Sequence, residues 1–156
     1  MTNSLLSQQL DALLTNETNF IANLSNASAL LYQSLSDINW AGFYLYDKTN
    51  DELHLGPFQG KVACTKIPYG KGVVGTCAQQ KKTLVVNDVH AFPGHIACDS
   101  ASRSEIVIPL YKDGNIIGVL DIDSPSLARF QIPEESVLQK TADLISELLS
   151  RADCLW

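Results

Sequence analysis

No run of lysine or arginine interrupts these 156 residues, and the formal net charge is −6. With a pI near 4.9, the chain has no electrostatic footprint for nucleic acid or an anionic membrane surface, and neither is expected as a partner. No apolar stretch approaches the ~18 residues of a membrane span. The first residues hold neither a basic segment nor an apolar run after it, so no secretory signal is read and a cytoplasmic address is expected. None of the cysteines, Cys64, Cys77, Cys98 and Cys154, forms a C-x-x-C pair. That argues against a zinc ribbon or a thioredoxin-type active site, and four thiols in a signal-less chain do not read as a structural disulfide framework. Repeats, linkers and low-complexity segments are also missing. One domain over 1–156 is expected, with 46% hydrophobic and 18% charged residues to build an ordinary core.

What is there divides into apolar-striped and alternating segments. Leu6, Leu10, Leu13 and Leu14 fall on one face of a helix over 4–14, and Phe20, Leu24, Ala27, Leu31 and Leu35 on one face of a second over 17–36. Thr15, Asn16 and Thr18 are cap candidates between them. The aromatic-rich run 39–46 reads as a strand, 47–51 as a turn and 52–55 as the returning strand. A third strand is expected over 61–67, after the interruption of Gly56, Pro57 and Gly60. Gly70-Lys-Gly-Val-Val-Gly75 fits G-x-G-x-x-G. The segment before it is polar and carries Pro68, unlike a buried parallel strand. The glycines are therefore read as a tight turn into a helix over 73–81 that packs closely on a sheet. Strands over 83–86, 106–110 and 116–123 follow, the last two joined by a hairpin turn at 112–115 with a D-G pair. Pro133-Glu-Glu135 opens a final helix. The order α-α-β-β-β-α-β-β-β-α gives an α+β fold, an antiparallel sheet flanked by helices.

The densest chemistry lies in His90-Ala-Phe-Pro-Gly-His-Ile-Ala-Cys-Asp-Ser-Ala-Ser-Arg-Ser-Glu105, where Pro93 and Gly94 break both periodicities. It reads as a loop that presents reactive groups beside a strand, or that simply caps the strand with small polar residues. Cys98 stands among polar, ionisable neighbours, whereas Cys77 and Cys154 read as inert buried thiols. The hairpin brings positions near 105 toward 121–123, so Glu105, Asp121 and Asp123 would converge. Carboxyls in one pocket cannot all ionise freely; one should stay protonated near neutral pH and act as a general acid. A thiol beside such an acid suits attack on a sulfoxide, a disulfide, or an acyl or amidine carbon. For acyl transfer His95 could serve as base. Two other readings stay open: a zinc set of His90, His95, Cys98 and Cys64, and a merely surface acidic pair at Asp121/Asp123.

The blocks Ile38-Asn-Trp-Ala-Gly-Phe-Tyr44, Leu55-Gly-Pro-Phe-Gln-Gly60, Ile67-Pro-Tyr-Gly-Lys-Gly-Val73, Asp88 to Ser100 with its G-H-I-A-C-D core, Ser104-Glu-Ile106 and Gly118-Val-Leu-Asp-Ile-Asp-Ser124 resemble the free methionine-(R)-sulfoxide reductases, which are single GAF domains. The resemblance covers essentially the whole chain. It implies a six-stranded antiparallel sheet between helices and reduction of the R-epimer of free methionine sulfoxide. It implies Cys98 as the attacking cysteine and Cys64 as the resolving one, reduced in turn by thioredoxin. Glu105, Asp121 and Asp123 would be the site carboxylates, and Trp40 and Tyr44 the aromatic groups around the substrate methyl. No cofactor or metal is implied. The family pattern often carries a third cysteine in G-K-G-V-C-G, where this chain has Val74; Cys77, three residues on, is not assigned that role. A Cys64–Cys98 disulfide is expected in oxidised protein, and a homodimer through the N-terminal helices. The alternative is a GAF domain that senses a small ligand without chemistry.

Overall fold

A computed structural model describes residues 3–150; Cys154 lies outside them. Period-two alternation along the strands decides the architecture, because it gives the sheet two apolar faces that each need a cover. Strands β1 (Trp40–Asp47), β2 (Glu52–Gly60), β3 (Lys66–Pro68), β4 (Leu84–Val86), β5 (Ser104–Lys112) and β6 (Asn115–Ser124) form one six-stranded sheet. Its order is β3-β2-β1-β6-β5-β4, and every pairing is antiparallel. Ala41, Phe43, Ile106, Ile108, Leu120 and Ile122 point to one face, under α1 (Asn3–Leu14), α2 (Phe20–Ser34) and α4 (Ile132–Leu149). Trp40, Tyr44, Val107 and Val119 point to the other, toward α3 (Gly72–Gln80). The first face is the larger core; fully burying leucines such as Leu6, Leu10, Leu24 and Leu31 stabilises the fold by about 2 kcal/mol each.

The element order is the one the sequence predicts, and the differences have local causes. The second helix starts at Phe20 because Asn19 is its N-cap, its side chain accepting from the Ala22 N–H at 2.9 Å; Thr15, Asn16 and Thr18 do not cap it. Leu13, expected on the buried face of α1, is 43% exposed. Strand β2 does not end at 55. Gly56 and Pro57 sit where the β1–β2 register shifts between Gly42 and Tyr44, so the breakers are absorbed as a bulge. The chain after Gly60 is consequently irregular to residue 65, and β3 is three residues long instead of spanning 61–67. Strand β5 begins at Ser104 and not at 106, which puts Glu105 in the sheet. Asp113 and Gly114 both have positive φ, 52° and 78°, the signature of the hairpin turn that D-G favours.

The glycine-rich turn before α3 is conformational. Gly70 and Gly72 have φ of 83° and 63°, and a Cβ on Gly75 would collide with the Pro68 carbonyl oxygen. Helix α3 therefore rests directly on the backbone leaving β3. Gly75→Ala is expected to lower stability by about 1–3 kcal/mol, since the obstacle is main chain and cannot rotate away; a chemical-denaturation midpoint measures it.

Candidate active site

Register places the three carboxyls. Glu105 on β5 pairs with Asp123 on β6, and Val107 pairs with Asp121. Across the other edge of β6, Trp40 pairs with Asp123 and Gly42 with Asp121. Trp40, Tyr44, Glu105, Asp121 and Asp123 all point to the α3 face, where one carboxylate oxygen from each of the three acids lies within 4.8 Å of the others. Glu105 and Asp121 are 7% and 4% exposed. This rules out the surface acidic pair. Oδ1 of Asp121 and Oδ1 of Asp123 are buried and receive no hydrogen bond from a protein donor. Burial is the first cause that holds all three carboxyls well above the ordinary carboxylate range; the charge of a neighbouring acid adds to it, Asp121 on Glu105, Asp123 on Asp121, and Glu105 on Asp123. Contacts among the three close the cluster, and shared protons are what make such contacts favourable.

Above the acids lies a cavity of about 40 Å³, lined by Trp40, Tyr44, Val74, His95, Cys98 and Ser102 with the carboxyls. Cys98 and Cys64 are joined as a disulfide at its rim, 34 positions apart in sequence with Cα atoms 5.4 Å apart. The bond commits both sulfurs, so the zinc set of His90, His95, Cys98 and Cys64 is not what the geometry brings together. His90 and His95 instead pack edge to face, their ring centroids 6.3 Å apart. Burial, and then the charge of His90, lowers the pKa of His95, so its ring stays neutral at neutral pH.

Trp40 and Tyr44 form the aromatic wall. Their ring centroids are 5.8 Å apart, and Phe58 stacks on the other side of Trp40 at 5.1 Å. Both rings also donate hydrogen bonds: the Trp40 indole N–H to the Lys61 carbonyl at 3.2 Å and the Tyr44 hydroxyl to the Cys64 carbonyl at 2.9 Å. Burial, followed by the charges of Asp121, Asp123 and Glu105, pushes the Tyr44 phenol far above its usual value, so it remains a donor.

Cys77 lies apart. It is fully buried in α3 with its thiol donating to the Val107 carbonyl at 3.5 Å, and burial first, then Asp121 and Glu105, pushes its pKa up. It cannot stand in for a third cysteine at Val74, which itself lines the cavity. A polar clasp escaped sequence reasoning. Asn39 donates through Nδ2 to Ser102 Oγ at 3.1 Å and to Asp99 Oδ2 at 3.3 Å, and its main-chain N–H donates to the Asp123 carbonyl at 2.9 Å. It pins the residue after Cys98 to the strand that carries Trp40. Asn39 lies within the I-N-W block and Ser102 two residues after the A-C-D-S block, the one signal that could have marked them.

The GAF domain family model matches residues 9–149. Among curated proteins, the chain is 51% identical over 148 residues to the free methionine-R-sulfoxide reductase of Escherichia coli, covering 95% of this chain and 88% of that one. It is 52% identical over 147 residues to Protein YtsP of Bacillus subtilis, covering 94% and 90%. Among solved structures, free methionine-R-sulfoxide reductase from Neisseria meningitidis in complex with its substrate superposes with a TM-score of 0.91 at 45% identity, over 96% of this chain and 90% of that one. With a sheet, a cysteine pair and a carboxyl cluster of this arrangement, and with half its residues shared along nearly its whole length, the chain belongs to the GAF-domain family of free methionine-R-sulfoxide reductases.

Proposed function

We propose that this chain reduces free L-methionine-(R)-sulfoxide to methionine, with Cys98 attacking and Cys64 resolving. The observation that carries the reading is the Cys64–Cys98 disulfide at the rim of a cavity floored by three buried carboxyls. A domain that only senses a ligand needs neither. In the first step the Cys98 thiolate attacks the sulfoxide sulfur while a carboxyl of the Glu105/Asp121/Asp123 cluster protonates the oxygen. The oxygen passes to the Cys98 sulfur. The substrate sulfur gains two electrons and leaves as the thioether of methionine, and Cys98 loses two as the sulfenic acid. The Cys64 thiol then attacks that sulfur, the S–S bond forms, and the S–OH bond breaks with a proton to release water. An external dithiol of the thioredoxin class reopens the disulfide by exchange. Asp121 pairs with the substrate ammonium, with Glu105 and Asp123 beside it, and Trp40 and Tyr44 wall the thioether end.

The cavity in the disulfide form, about 40 Å³, holds a few waters and not an amino acid. Reduction must therefore part the two sulfurs and widen the cavity before the next substrate enters. The exposed Leu5, Leu13 and Ile21 of the first two helices are in keeping with a homodimer through that face, and a reducing cytoplasm would keep the thiol pair supplied with electrons. Incubation with dithiothreitol and each sulfoxide epimer tests the activity. Methionine is expected from the R-epimer alone; equal yields from both epimers, or none from either, would end this reading.

A further inference from the structure

The two aromatic residues at the cavity wall hold more than their rings require. The segment 61–65 has no regular structure, and its Val62 is 88% exposed. Among the described residues, its carbonyl oxygens receive one main-chain bond, from the Leu55 N–H to Thr65 at 3.0 Å. The other two come from the cavity wall: the Trp40 indole to Lys61 and the Tyr44 hydroxyl to Cys64 itself. Tyr44 is 2% exposed and Trp40 3%, and both stand on β1, the strand paired on both sides at the centre of the sheet. The donors are therefore held in the sheet, whereas the segment they grip belongs to no strand or helix of its own.

We propose that Trp40 and Tyr44 are positioning residues for the resolving step, clamping the backbone of residues 61–65 so that the Cys64 thiol stands over Cys98 once the sulfenic acid has formed. This rests on the reductase reading above and adds a second duty to two residues which that reading uses only as a wall. Attack of Cys64 on the Cys98 sulfur is intramolecular, so its rate depends on how narrowly the thiol is held. The Tyr44 hydroxyl fixes the carbonyl of the reacting residue, and the indole N–H fixes a carbonyl three residues earlier. A segment of five residues gripped at two points has little freedom left. The step moves no electrons through either ring: the S–S bond forms, the S–H bond of Cys64 and the S–OH bond of Cys98 break, the hydroxyl leaves as water with a proton from the carboxyl cluster, and the thiol proton restores the cluster.

Tyr44→Phe keeps the ring and removes the clamp on Cys64. The informative readout is the fate of Cys98 after methionine has been released, which does not depend on how fast the substrate was bound. Reduced protein is mixed with limiting R-sulfoxide, without external thiol, in the presence of a cyclic 1,3-diketone that alkylates sulfenic acids, and the adduct and the disulfide are counted by mass. Wild type should close to the disulfide with little adduct. In Tyr44→Phe the ratio of adduct to disulfide should rise about tenfold, the kinetic equivalent of one lost hydrogen bond, and Trp40→Phe, which keeps an aromatic ring beside Phe58, should move it the same way. Cys64→Ser sets the ceiling. An unchanged ratio in Tyr44→Phe overturns the proposal. If that variant releases too little methionine to count, the equilibrium of its Cys64–Cys98 disulfide with glutathione decides: a fall of about tenfold in effective thiol concentration supports the clamp, and a wild-type value overturns it. Wild type that releases no methionine would instead defeat the reductase reading.

Discussion

Cys98→Ser is expected to abolish methionine formation, with turnover falling on the order of 10⁴-fold or more, as for other enzymes that lose their nucleophile. Cys64→Ser should behave differently. It retains the attacking thiol and the carboxyls, so it should release one methionine per chain from limiting R-sulfoxide and then stop as the Cys98 sulfenic acid. High concentrations of a small thiol should restart it, because the thiol can take the place of the missing partner. Mass spectrometry of the intact chain checks both: no change for Cys98→Ser, and one added oxygen, or one added thiol, for Cys64→Ser. If Cys98→Ser turned over at the wild-type rate, the attacking thiol would have to be sought elsewhere, and Cys77 is a poor candidate. Burial leaves it no path to a substrate and raises its pKa, so it is neither accessible nor ionised.

The carboxyl cluster was legible in the sequence to within a residue: the D-G hairpin at 113–114 carries Glu105 to the end of β6, and a register shift between Leu110 and Tyr111, which the sequence does not announce, sets it opposite Asp123 instead of Ile122. The burial of those acids was not legible, since nothing in the strand pattern says that α3 and the 92–103 segment will roof them. The same limit explains β2. Gly56 and Pro57 are breakers by type, and their absorption into a bulge depends on β1 having Gly42 opposite, where a Cβ would strike the backbone of Phe58. Cap choice at α2 depended on one residue, and Asn19 wins over Thr18 because its side chain reaches the Ala22 N–H. The Cys64–Cys98 pairing came from family resemblance and not from spacing, since 34 intervening positions put no constraint on where two sulfurs meet. The grip of Trp40 and Tyr44 on residues 61–65 needed coordinates, because it joins side chains of one strand to the main chain of an irregular segment.

Glu105→Gln should lower kcat by about 10²–10³-fold, the usual range for loss of a general acid, and at the same time raise stability at neutral and alkaline pH. The two signs have one cause. A carboxyl whose folded-state pKa is raised binds a proton that the unfolded chain would have released. Its stabilising contribution is therefore complete below the ordinary carboxylate range near 4 and is lost as pH rises through the raised value. Glu105, Asp121 and Asp123 are all raised, burial being the first cause for each. The wild type should then lose stability as pH climbs from about 4 toward 8, as protons are pulled from three buried carboxyls whose charges repel one another. Glutamine keeps the shape, cannot ionise, and offers N–H donors to the Asp121 and Asp123 oxygens that receive none. A gain of about 2 kcal/mol at pH 8, shrinking to nothing near pH 4, is the expected result of denaturation at the two pH values. Activity of the wild type should fall along the same alkaline limb, because only a protonated cluster can hand a proton to the departing oxygen. A glutamine variant that is inactive yet no more stable at pH 8 would mean that the three carboxyls share their protons without strain, and that they bind substrate more than they supply it with acid.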